Sequence, residues 1–108
     1  MAHFPCPYLG GDVELTDERK RHIDERHPDL FEKHQSLIEE TLVNPDQVRR
    51  SSRSANARLF IRDFGTISDS AYVVVVVVSE SAPSARHWVV TAYRARRLTG
   101  GVHEWKRN

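Results

Sequence analysis

The sequence predicts an α+β domain in two layers, with two helices from the first half packed on a four-stranded antiparallel meander from the second. Three observations carry this expectation. Apolar residues recur at three- and four-residue spacing up to Asn44-Pro45, and beyond that point the runs turn strand-like, rich in Val, Ile, Phe, Tyr and Trp. Six consecutive valines, Val73 to Val78, make a strand that is apolar on both faces and so belongs covered inside a sheet, since such a strand at an edge would aggregate. A chain of 108 residues can build one hydrophobic core but not two.

Residues 1–12 carry Pro5, Pro7, Gly10 and Gly11 and read as an N-terminal loop or edge segment, with a single domain over residues 13–108. Asp12 to Leu15 alternates like a brief strand. Thr16 is a good helix N-cap, and Asp17 and Glu18 then sit where the helix dipole favours negative charge. The first helix should end by His27, because Pro28 disfavours helical geometry in the residue before it. A second helix follows from Pro28 or Asp29, its apolar stripe formed by Leu30, Phe31, His34, Leu37, Ile38, Thr41 and Leu42, and Asn44-Pro45 ends it. The four strands are expected at Gln47–Arg53, Ala57–Phe64, Ala71–Ser79 and Arg86–Arg94. Along the last, two-residue alternation puts His87, Val89, Thr91 and Tyr93 on one face and Trp88, Val90 and Ala92 on the core side.

Several classes are excluded at this level. The longest apolar stretch, Ala71 to Val78, is eight residues, far short of a membrane span. The opening Met-Ala-His-Phe-Pro-Cys-Pro has neither the basic nor the apolar segment of an export signal, so a cytoplasmic location is expected. Cys6 stands alone, which rules out a disulfide framework. Six histidines invite a test for zinc, but no His-Glu-x-x-His arrangement occurs, and His22 and His27 are five apart on different helix faces. No metal and no cofactor is expected, since a glycine-rich phosphate loop is also missing.

Charge is distributed unevenly. Met1 to Asp46 holds five Lys/Arg against eleven Asp/Glu, whereas Gln47 to Asn108 holds eleven against four. A basic half of this kind attracts polyanions such as nucleic acid, although two opposite halves can also neutralise each other across a packed interface. The first helix is unusually polar, with Ile23 its one apolar residue, and Arg19, His22, Ile23 and Arg26 share a face. That face either lines a binding cleft or is a solvated surface anchored by Ile23. His27, at the junction of the helices, is a candidate for proton transfer or for capping the first helix. Thr91 and Tyr93 place a hydroxyl and a phenol on one strand face.

The string Val13-Glu-Leu-Thr-Asp-Glu-Arg-Lys-Arg-His-Ile-Asp-Glu-Arg-His-Pro, followed by Leu42-Val-Asn-Pro-Asp, Thr91-Ala-Tyr and Trp105-Lys-Arg, resembles the phage-associated branch of the barnase, EndoU, colicin and RelE-like (BECR) nucleases. The resemblance spans about Val13 to Arg107 and implies a barnase/RelE-like two-layer fold and metal-independent cleavage of RNA. It aligns Arg19, His22, Arg26 and His27 with the family's His-containing helix motif, and Thr91 and Tyr93 with its late-strand polar position. The implied catalytic set is His22, His27, Arg26, Thr91 and Tyr93; Arg19, Arg50, Arg53, Arg62, Arg94, Lys106 and Arg107 would hold RNA. Such chemistry needs a base for the 2′-hydroxyl, an acid for the departing 5′-oxygen and cations for the phosphoryl oxygens, roles that histidine and arginine fill. RNA is the implied partner, with an antitoxin or immunity protein if the chain is a toxin, and a monomer or weak homodimer is expected. The alternative is a module that binds RNA or protein with the same fold and no turnover.

Overall fold

The computed structural model describes residues 1–67, 70–80 and 85–107, of which 28–35, 66, 67, 70 and 71 are described as backbone only. The chain forms β1 (Ala2–Cys6), a 3₁₀ turn (Pro7–Leu9), β2 (Gly11–Leu15), α1 (Asp17–Arg26), α2 (Pro28–Val43), β3 (Gln47–Arg50), β4 (Ala57–Ile67), β5 (Ser70–Ser79), β6 (His87–Ala95) and β7 (Val102–Lys106). One sheet contains every strand, in the order β1-β2-β6-β5-β4-β3-β7.

The expected meander is present as the antiparallel neighbours β3, β4, β5 and β6, but the sheet has seven strands rather than four. Two strands precede the helices as an antiparallel hairpin: β2 is the brief strand expected at Asp12–Leu15, and β1 occupies the stretch read as a loop or edge segment. β2 meets β6 in parallel through Glu14 and Trp88, which makes the sheet mixed. Pro5, which lacks an N–H for a ladder bond, suits β1 to its place at the edge. The other addition, β7, pairs antiparallel with β3.

Both helices start and stop on local chemistry. The Thr16 hydroxyl accepts a hydrogen bond from the Arg19 amide at 3.2 Å, and Asp17 and Glu18 fill the first turn of α1. His27 leaves helical geometry ahead of Pro28 (φ −139°, ψ 62°), and Pro28 then opens α2 with a ring already locked near a helical φ. α2 closes at Asn44, whose amide reaches the Glu40 carbonyl just before Pro45. Leu30, Phe31 and His34 of the expected apolar stripe lie outside the described side chains.

The core lies between the helices and one sheet face. Ile23 from α1 and Ile38 and Leu42 from α2 pack with Val48, Phe60, Val73, Val75, Val77, Val89 and Ala92. The valine strand, β5, is central, as expected, yet only one of its faces lies under helices. Val74 and Ile61 are buried on the opposite face, whereas Val76, Val78 and Leu59 there are half-buried. A β-bulge explains a second departure. Val76 pairs with Thr91 but Val77 pairs with Val89, so Val90 is extra and the alternation along β6 changes phase. Val89 and Ala92 therefore face the core together, Trp88 turns to the open face with Thr91 and Tyr93, and His87 turns away from it.

Candidate active site

Register across the sheet arranges the open face in rungs. One runs Thr91, Val76, Leu59, Arg49 and His103; the next runs Tyr93, Val74, Ile61, Gln47 and Lys106. From β6 to β7 every neighbouring pair is antiparallel, so β6 and β7 point the same way and residues 96–101 must cross β5, β4 and β3 to connect them. The crossing lies over the open face. There Thr99, Gly100 and Gly101 stand opposite Ser51, Ser52 and Arg53, around a cleft of about 380 Å³ floored by Leu59, Val76 and Tyr93.

Arg49 fixes this crossing. Its Nε donates to Gln47 Oε1 at 3.0 Å and its Nη1 to the Gly100 carbonyl at 3.1 Å. Gly101 is required at its position: φ is +75°, and a Cβ there would stand 3.0 Å from the Arg50 carbonyl oxygen. Arg53, expected on a strand, lies beyond the end of β3 in the turn before β4, with its amide donating to Ser51 Oγ at 3.1 Å. Its side chain is exposed, and among the described residues no carboxylate pairs with it.

Tyr93, which lines the cleft, also meets the ring of His27, with centroids 6.0 Å apart and planes at 41°. Both side chains are half-buried. Burial pushes the Tyr93 phenol above its ordinary value, so at neutral pH it is protonated and can donate a hydrogen bond. Thr91 lies two residues away on the same face. The structure thus brings His27 to Tyr93, with Thr91 beside Tyr93 along β6 and Arg53 lining the same cleft as Tyr93.

The remaining candidates are dispersed. On α1, Ile23 is fully buried, Arg19 and His22 are half-buried and Arg26 is exposed. Arg94 pairs with Val73 and so faces the helix side. Arg62 donates to the Asn44 carbonyl at 2.8 Å, and Arg107 clasps the same residue together with the Pro45 carbonyl, which ties the end of α2 to the sheet. Lys106 stands on the open face beside Asp46, Asp63 and Tyr72.

Arg50 has a different environment. It meets the Glu104 carboxylate at 2.7 Å through Nη2, while Arg58 Nε reaches the other oxygen at 2.8 Å and the Tyr8 hydroxyl donates to it at 2.6 Å. Burial alone would raise the Glu104 carboxyl, but the hydrogen bonds from Tyr8, Arg58 and Arg50 outweigh it and hold the group down to about 2. Tyr8 in turn is pushed up to about 12 by desolvation and by its bond to that carboxylate. The Tyr8 ring also packs edge-on against Phe60 at 5.8 Å, so the clasp joins the first turn of the chain to its last strand.

Sequence reasoning passed over Arg49, which holds the crossing, and the cleft walls Ser51, Ser52, Thr99, Gly100 and Gly101. The adjacent glycines after a strand were the one local signal, since paired positive-φ residues mark a sharp turn. Among the described residues, no three His, Cys, Asp or Glu side chains gather as metal ligands, and no helix is long and apolar enough to cross a membrane.

Over residues 7–106 the sequence matches the family described as phage-Barnase-EndoU-ColicinE5/D-RelE like nuclease 2. No curated protein and no solved structure matches the chain. The family match covers nearly the whole length, and the chain belongs to that family.

Proposed function

We propose that this member of a BECR-type nuclease family cleaves RNA without a metal ion, at the cleft on the open sheet face. The observation that carries the reading is the approach of His27 to Tyr93 beside a cleft rimmed by Arg53. The two rings supply the parts that RNA cleavage needs. The imidazole of His27 exchanges a proton with the attacking 2′-hydroxyl or the departing 5′-oxygen. The neutral phenol of Tyr93, with the Thr91 hydroxyl, donates hydrogen bonds to a phosphoryl oxygen as charge develops there. Arg53 holds a flanking phosphate. The 2′-oxygen bonds to phosphorus as the 5′-oxygen leaves with a proton, so the products are a 2′,3′-cyclic phosphate and a free 5′-hydroxyl.

A nuclease of this kind also calls for restraint in the cell that makes it, and an antitoxin or immunity protein covering the open face belongs to the same proposal. Incubating the pure protein with mixed single-stranded RNA in chelator tests the reading. Fragments ending in cyclic phosphate are expected, and a 2′-deoxy strand of the same sequence should stay intact. Loss of cleavage in chelator with recovery on adding a divalent cation would replace the mechanism with a metal-dependent one. RNA binding without fragments would leave a binding module.

A further inference from the structure

The open face carries a second group of residues, beyond the cleft, that the cleavage chemistry does not use. The bulge in β6 turns Trp88 to this face, opposite Val78 on β5 and Glu14 on β2. Trp88 is half-buried in the sheet's surface. Arg86 lies over it, with the guanidinium carbon 5.8 Å from the indole centroid. That arginine is held in place, since its Nε and Nη2 each reach the Glu14 carboxylate at 3.0 Å. The side-chain bond from Arg86 is the main cause holding the Glu14 carboxyl below the usual carboxylate range, so the acid stays paired with this cation. Along the same face, beyond Tyr93, Tyr72 lies opposite Ala95. The face therefore presents a line of rings, Trp88, Tyr93 and Tyr72.

We infer that Trp88 with Arg86 forms a base-stacking subsite for single-stranded nucleic acid, about 15 Å along β6 from Tyr93. The inference rests on the nucleic-acid reading of the cleft. Indole and guanidinium planes stack on the faces of unpaired bases, and in a duplex those faces are buried against neighbouring bases. The bidentate hold of Glu14 fixes Arg86 before any ligand arrives, so little side-chain freedom is lost when a base settles on the pair. The subsite gives the face a reach of several nucleotides and a preference for single strands.

The test uses the Trp105→Phe protein, in which Trp88 is the sole tryptophan, and a ten-nucleotide single-stranded 2′-deoxy oligopyrimidine, which lacks the hydroxyl needed for cleavage. Tryptophan emission should be quenched on titration. Trp88→Ala, made in the otherwise unaltered chain, should weaken binding by anisotropy about tenfold, and Trp88→Phe should restore most of it. The ratio of wild-type to Trp88→Ala affinity should rise with oligonucleotide length from two to ten nucleotides, and a duplex of the same sequence should bind less tightly. Equal affinity for duplex and single strand, a ratio that does not change with length, or quenching caused by self-association would overturn the subsite. The two readings separate cleanly: quenching with no RNA turnover keeps the subsite and removes the nuclease, whereas turnover with no quenching does the reverse.

Discussion

Arg50 and Arg53 stand three residues apart, and the molecule uses them differently. Arg50 shares a face with Val48 and Phe60, on the helix side, where its guanidinium is spent on Glu104 together with Arg58 and Tyr8. Arg53, past the end of the strand, stands exposed on the rim of the open-face cleft. The same contrast runs through the whole sheet. One face is sealed by α1 and α2 and holds the core; on the other, half-buried Val76 and Leu59 floor a cleft walled by polar loops. An arginine count cannot distinguish the two uses, because the carboxylate that neutralises Arg50 comes from Glu104, which Tyr8 and Arg58 also hold.

The contrast predicts that substitutions on the two faces fail in different ways. His27→Ala should lower the rate of RNA cleavage by about 10² to 10⁴-fold, as expected for loss of a general acid or base, while thermal unfolding shifts by the equivalent of at most about 1 kcal/mol. Unfolding in that variant comparable to a core mutant would mean that His27 serves the fold. On the covered face, Phe60→Ala should cost about 3–5 kcal/mol by denaturant titration, since Phe60 is fully buried among the core residues. A loss below 1 kcal/mol would place the core elsewhere.

A smaller effect belongs to the clasp. Glu104→Gln should destabilise the protein by about 1 kcal/mol at pH 7, because the exposed Arg50 and the half-buried Arg58 keep only a neutral acceptor. Glu104 is held at about 2 in the folded protein, below its ordinary 4.5, so its contribution is present above pH 4.5 and is lost as pH falls toward 2. Melting temperatures measured from pH 5 to pH 2 should therefore fall more steeply for wild type than for Glu104→Gln, and parallel curves would contradict the assignment. Smallest of all, Arg53→Ala should reduce the salt dependence of single-strand binding by a log-log slope of about 0.7, the value for one phosphate contact. Arg50→Ala should leave that slope unchanged and lower the melting temperature instead.

Much of the frame was legible in the sequence, because local chemistry determines it. The Thr16 cap, the stop before Pro28, the Asn44-Pro45 terminus and the four meander strands all follow from side chains within a few residues of the feature they create. The edge strands were harder to see. β1 is short and contains Pro5, and β7 is a polar run after paired glycines whose place beside β3 depends on a crossing of the sheet. The site was legible in part for the same reason. His27 and Tyr93 could be nominated by residue type, but their closeness depends on how α1 meets β6. The phase of β6 depends on a bulge at Val90, which two-residue alternation passes over, and so Trp88 rather than His87 reaches the open face.

The central claim is that His27 and Tyr93 act as one unit on the open face. A double-mutant cycle of His27→Ala and Tyr93→Phe, read as kcat/KM on single-stranded RNA in chelator, tests it most directly. If the residues act together, the double variant should be little worse than His27→Ala alone, with a coupling of at least about 1 kcal/mol between them. Additive losses, or full activity in His27→Ala, would contradict the claim and move the chemistry away from this cleft.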